Sequence, residues 1–119
     1  MSNNETTKTE NSIILDYGDI KVRIVRAGDG NQKYTDIMQT RLHPYKRRLD
    51  NGTLNPDIAL RLVAEVYADS VILGWEGVKD SKGQILPFTR NNAVKCMIEQ
   101  SILFENIRFE SMNPLNFTD

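Results

Sequence analysis

The chain has 119 residues, 39% of them hydrophobic and 26% charged, and its 15 basic and 16 acidic side chains leave a formal net charge of −1. That length holds one domain with one modest core, and the balanced charge argues against a protein dominated by nucleic-acid backbone contacts while leaving room for a local basic patch. The single cysteine, Cys96, excludes an internal disulfide and a cysteine-clustered zinc site, and the single histidine, His43, has no nucleophile motif beside it.

Met1–Asn11 is polar and lacks the apolar groups that would offset the entropy of ordering, so a disordered tail is expected there, with one globular domain over 12–119. The same segment has no apolar core and does not read as a signal peptide. The longest apolar stretches fall short of the roughly 20 residues of a membrane span. A reducing, cytosolic setting fits these features.

SIILD (12–16) and DIKVRIVR (19–26) read as two strands. Ile20, Val22 and Ile24 alternate with Lys21 and Arg23, the period of a half-buried strand, and Asp16-Tyr17-Gly18-Asp19 supplies the turn of a hairpin. Ala27 to Asn31 reads as a flexible connector. A helical pattern follows from Gln32 to Leu49, with Tyr34, Ile37, Met38, Leu42, Tyr45 and Leu49 near one face. Pro44 predicts either a kink or a division near His43, and Asn51-Gly52 is a stop.

Asn55-Pro56-Asp57 combines a cap, a first-turn proline and an acid suited to the helix dipole. The helix it opens is expected to run to about Leu73, with Ile58, Leu62, Val66, Ala59, Val63 and Tyr67 apolar and Arg61, Glu65 and Asp69 on the polar side. Gly74 breaks it. The stretch from Ser70 to Thr89 organises the rest: Trp75, a turn at Asp80-Ser81-Lys82-Gly83, then Pro87, Phe88 and Thr89, a helix cap. A helix after Thr89 carries Ala93, Val94, Met97 and Ile98 inward, with Cys96 as a small, mostly buried side chain. Ser101 is a candidate cap for a last helix, the alternative being one continuous helix through Gln100. The resulting fold class is α+β, mainly α: a small bundle of three to five helices with an N-terminal β-hairpin and a short ordered linker at 74–88.

The chemistry-bearing groups are few. Arg41, His43, Lys46, Arg47 and Arg48 form either a surface for phosphate or acidic protein, or the solvated face of an amphipathic helix. Trp75 is either a binding hot spot or an anchor for the linker, its indole N–H on a nearby carbonyl. Glu76 and Asp80 lack the loop spacing of a cation site. Ile102, Leu103, Phe104, Ile107 and Phe109 are many apolar groups for a terminal segment, and either mark a partner surface or close the core. No nucleophile, metal or phosphate signature survives, so the chain reads as no enzyme, without cofactor.

Lys33-Tyr34, RLHPYKRR (41–48), ADSVILGWEGV (68–78), DSKG (80–83), LPFT (86–89) and Leu103-Phe104 with Ile107 resemble the tail assembly chaperones of long-tailed phages over about two thirds of the chain. That resemblance implies a non-enzymatic protein of the host cytoplasm. It would bind the tape measure protein, keep it soluble until tail tube subunits polymerise around it, and self-associate. The tail tube protein is a further expected contact; membrane and nucleic acid are not. Trp75, Phe88, Leu103, Phe104 and Ile107 are expected to form the core or the client groove, and Arg41, Lys46, Arg47 and Arg48 the polar contacts. A structural head-tail connector or tail completion protein is the alternative.

Overall fold

The structure of the protein is a computed structural model that describes residues 12–117, so the expected tail at 1–11 lies outside the described residues. The architecture is α+β and mainly α. Strands β1 (Ser12–Asp16) and β2 (Lys21–Val25) are followed by helix α1 (Gln32–Leu42), a 3-10 turn (His43–Tyr45) and α2 (Lys46–Asn51). Then come α3 (Pro56–Ser70), β3 (Ile72–Glu76), α4 (Arg90–Glu99), α5 (Ser101–Met112) and a closing 3-10 turn (Pro114–Phe117).

The hairpin is where expected, but the sheet is larger. β3 adds antiparallel to β2, giving the order β1-β2-β3. The expected helix to Leu73 therefore stops at Ser70, and the ordered linker at 74–88 begins inside a strand. The pairing carries a bulge: Arg23 faces Gly74 while Ile24 faces Ile72, leaving Leu73 as the extra residue. A bulge lets residues three apart share a face. Ile72 and Trp75 both turn inward, in rows with Ile13–Ile24 and Leu15–Val22.

α3 is the central helix. Leu62, Ala64, Val66, Tyr67, Ala68 and Ser70 are buried, with α1 on one flank and α4 on another. Its Asn55 cap accepts from the Asp57 N–H at 2.7 Å, and Thr89 caps α4 by accepting from the Asn92 N–H at 3.0 Å, as their sequence positions predict. Pro44 divides its helix instead of kinking it, because the chain takes a tighter 3-10 turn there. Ser101 caps nothing: Gln100 occupies the cap position of α5 without a side-chain bond, and it separates α4 from α5.

The expected flexible connector ends on a structural residue. Asn31 caps α1 through Oδ1, accepting from the Tyr34 N–H at 3.0 Å, while its Nδ2 donates to the Arg26 and Ser70 carbonyls at 2.8 and 2.9 Å. One side chain thus joins the exits of β2 and α3 to the start of α1.

The core is crossed by a file of aromatic rings. Tyr34 meets Tyr67 edge-on at 6.1 Å, Tyr67 meets Phe104 edge-on at 5.4 Å, and the Arg108 guanidinium lies 5.0 Å over the Phe104 ring. Edge-to-face rings and a cation over a ring face are both electrostatically favourable. The Tyr67 hydroxyl is 3.1 Å from the Ser111 Oγ. Ser111 donates its own proton to the Arg108 carbonyl at 2.9 Å, so Tyr67 is the donor in that pair.

The polar side of α3 is closed by arginines from both neighbours. Arg41 of α1 reaches Glu65 and Asp69, each at 3.1 Å, and Arg90 of α4 reaches Asp69 at 2.7 Å. Burial pushes the Asp69 carboxyl up, but Arg90 and Arg41 together outweigh it and hold the pKa below the ordinary 3.8. A carboxyl with a lowered folded pKa contributes stability that is complete above 3.8 and is lost as pH falls from there through the folded value. Asp69→Asn is expected to cost about 1–2 kcal/mol at neutral pH, discounted for partial exposure. It should also flatten the acid limb of stability measured by urea unfolding between neutral pH and pH about 3. An acid limb identical to that of the parent protein would contradict the assignment.

Candidate interaction surface

The residues expected to meet a partner separate into three environments. Phe104 and Ile107 of α5 are 1% and 0% exposed and belong to the core, so they present no surface. Trp75 and Phe88 are half-buried against one another, ring centroids 5.1 Å apart and edge-on. The Trp75 indole N–H donates to the Leu86 carbonyl at 2.8 Å, which pins the linker to the sheet. That linker is itself ordered: the Leu86 N–H donates to Val78 O, and Asp80 Oδ1 accepts from the Lys82 and Gln84 N–H groups at 2.9 Å. Leu103 is half-buried on the wall of a groove.

The basic residues divide in the same way. Arg41 is consumed by Glu65 and Asp69, and Lys46 pairs with Asp50 at 3.2 Å on the exposed surface of α2. Arg47 and Arg48 are exposed and make no ion pair among the described residues.

α5 carries the most conspicuous feature. Ile102, Phe109 and Met112 are 82%, 66% and 56% exposed, and Leu115 just beyond the helix is 78% exposed. Residues seven and three apart stack on one helix face, so Ile102, Phe109 and Met112 form a stripe directly opposite Phe104, Ile107 and Ser111. A helix apolar on two sides is normally covered on both. Next to Ile102 an open, mostly apolar groove of about 680 Å³ runs between the hairpin turn and the α4–α5 corner, lined by Tyr17, Ile20, Glu99, Ile102, Leu103 and Asn106. The Tyr17 hydroxyl donates to Asn106 Oδ1 at 2.6 Å across it. Burial, with the Glu110 charge added, pushes the Tyr17 pKa up to about 12, so the hydroxyl keeps its proton and remains a donor.

Sequence spacing groups Ile102 and Phe109 with the other apolar residues of this helix. What it lacks is which of the two stripes the core takes. The seven-residue interval between Ile102 and Phe109, with Glu105 between them, was the available signal.

Cys96 is buried, and burial followed by the nearby Glu99 charge pushes its thiol up to about 11, far from the thiolate that a nucleophile requires. Among the described residues, no three His, Cys, Asp or Glu side chains gather as a metal site needs, and no helix is long and apolar enough to cross a membrane.

No curated protein and no solved structure matches the chain. Residues 29–119, which run from the loop before α1 through α5 and beyond, match the family model described as YdaY prophage protein. The match covers most of the chain and every helix of the fold, and the chain belongs to this phage-derived family, the YdaY prophage proteins.

Proposed function

We propose that this protein is a non-enzymatic tail assembly chaperone that binds the tape measure protein of its phage and keeps it soluble in the host cytoplasm during tail assembly. The observation that supports this reading is the α5 stripe: Ile102, Phe109 and Met112 stand outward on a helix already anchored by a second apolar face. A long helical client presents apolar side chains at the same three- and four-residue spacing, and an exposed helix stripe beside a groove is the surface such a client lays itself on. The groove lining of Tyr17, Ile20 and Leu103 extends that surface past the N-terminus of α5. Prophage membership of the family agrees with a role in building a phage particle.

Co-expression of the chain with the tape measure protein of the same phage should bring the client into the soluble fraction and co-purify it. The paired change Ile102→Asp and Phe109→Asp should leave the fold intact, because both side chains already face solvent. It should weaken client capture at least tenfold, since burying each side chain contributes about 1.5–3 kcal/mol. A client that stays insoluble beside the unaltered chain would overturn the reading. So would an Asp variant that solubilises it equally well. Detection of the chain in purified virions would favour a head-tail connector or tail completion protein.

A further inference from the structure

We infer that the apolar face of α5 is also a self-association surface, and that its occupant is the basic α2 arm of a second copy of this chain. The two surfaces are complementary in charge, and each exposes apolar side chains. The main packing partner of α2 is the 3-10 turn that precedes it, and every residue from Lys46 to Asn51 is exposed. Its surface places the 40% exposed Leu49 between Lys46 and Arg48, with Arg47 exposed beside them. On α5, the exposed stripe carries Glu105 between Ile102 and Phe109, and Glu99 lines the groove beside Ile102. Both glutamates are exposed and make no ion pair among the described residues, and the same is true of Arg47 and Arg48.

One surface is thus an apolar stripe with unspent negative charge, the other an apolar tip with unspent positive charge. Complementary potentials of this kind select a partner and its register, while the apolar centre supplies most of the affinity. Each copy carries one of each surface, so a copy can give its arm to one neighbour while taking an arm from another, or two copies can exchange arms as a closed pair. The contact rests on the charges and exposures of this chain alone and holds whatever the client of α5 is.

Sedimentation equilibrium of the purified chain, read against its 13.6 kDa monomer mass, tests this. Mass should rise with concentration at low salt and fall toward the monomer value at high salt, where exposed charges are screened. Two variants sharpen the test. Arg47→Glu with Arg48→Glu makes both surfaces acidic, and Glu99→Lys with Glu105→Lys makes both basic. Each variant alone should be monomeric at concentrations where the parent associates, and an equal mixture of the two should associate again. Phe109→Asp should abolish association without altering the charge pattern of the arm. A parent chain that remains monomeric at every concentration overturns the inference, as do charge variants that each self-associate like the parent. A mixture that stays monomeric does the same.

Discussion

Phe104→Ala should lower the unfolding free energy by about 3–5 kcal/mol, while Ile102→Ala, two residues away on the same helix, should change it by no more than about 0.5 kcal/mol. Phe104 is buried, touches Tyr67 edge-on and supports the Arg108 guanidinium on its face. Truncation leaves a cavity, removes a favourable ring contact and strips the cation of its cover. Arg108 has little to fall back on, because its buried Nε already lacks a hydrogen-bond partner. A domain of this size is stable by only about 5–15 kcal/mol, so the variant should be marginal. Urea unfolding followed by far-UV circular dichroism measures both changes. A loss below about 1 kcal/mol for Phe104→Ala would show that the aromatic file does not hold α5 to α3.

Gly77→Ala should be as damaging through the backbone alone. Gly77 follows β3 with φ of +82°, a region that L side chains rarely adopt. A Cβ there would run into the Asp19 carbonyl oxygen, with the carbonyl carbon at 3.1 Å and Ile20 Cα at 3.4 Å. All three are main-chain atoms just ahead of β2, so no side chain can rotate out of the way. The left-handed conformation costs about 1–2 kcal/mol, and forcing the two segments apart adds about 1–3 kcal/mol. Gly83→Ala is the matched control. Its φ is +81°, but nothing lies within 4 Å of the added Cβ, so only the conformational cost remains. Thermal unfolding of the pair should place Gly77→Ala well below Gly83→Ala, and equal midpoints would refute the backbone contact.

These two sites also show what the sequence could and could not say. The caps at Asn55 and Thr89 were legible because a cap is a local event: one side-chain oxygen, one N–H two or three residues on. The buried Cys96 followed from helical spacing, and of the two readings open for Trp75 the linker anchor is the one its indole N–H makes, on the Leu86 carbonyl. β3 was not legible. Ile72 and Leu73 continue the apolar run of α3, and the bulge at Leu73 destroys the alternation that announces a strand. Asn31 was hidden for a different reason. Two of its three partners, the Arg26 and Ser70 carbonyls, become neighbours only once the chain has folded. On α5 the residue types were visible, but both stripes are apolar. The tertiary packing decides between them: Phe104 enters the core edge-on to Tyr67, while Ile102 and Phe109 stay exposed.

The late arrival of β3 bears on where the cooperative unit begins and ends. Its hydrogen-bonded partner β2 stops at Val25, and β3 starts at Ile72, so all of α1, α2 and α3 lies in the excursion between them. Closing a loop of roughly 45 residues costs about 3 kcal/mol of chain entropy before any contact returns it. The two-stranded hairpin ahead of the excursion is marginal without a third strand or a packed helix. A polypeptide ending before Ile72 would hold three helices' worth of sequence and a sheet that lacks an edge. The helices are therefore not a subdomain decorated by a hairpin. Strand pairing across the whole excursion makes the hairpin at 12–25, the strand at 72–76 and the helices between them stand or fall together.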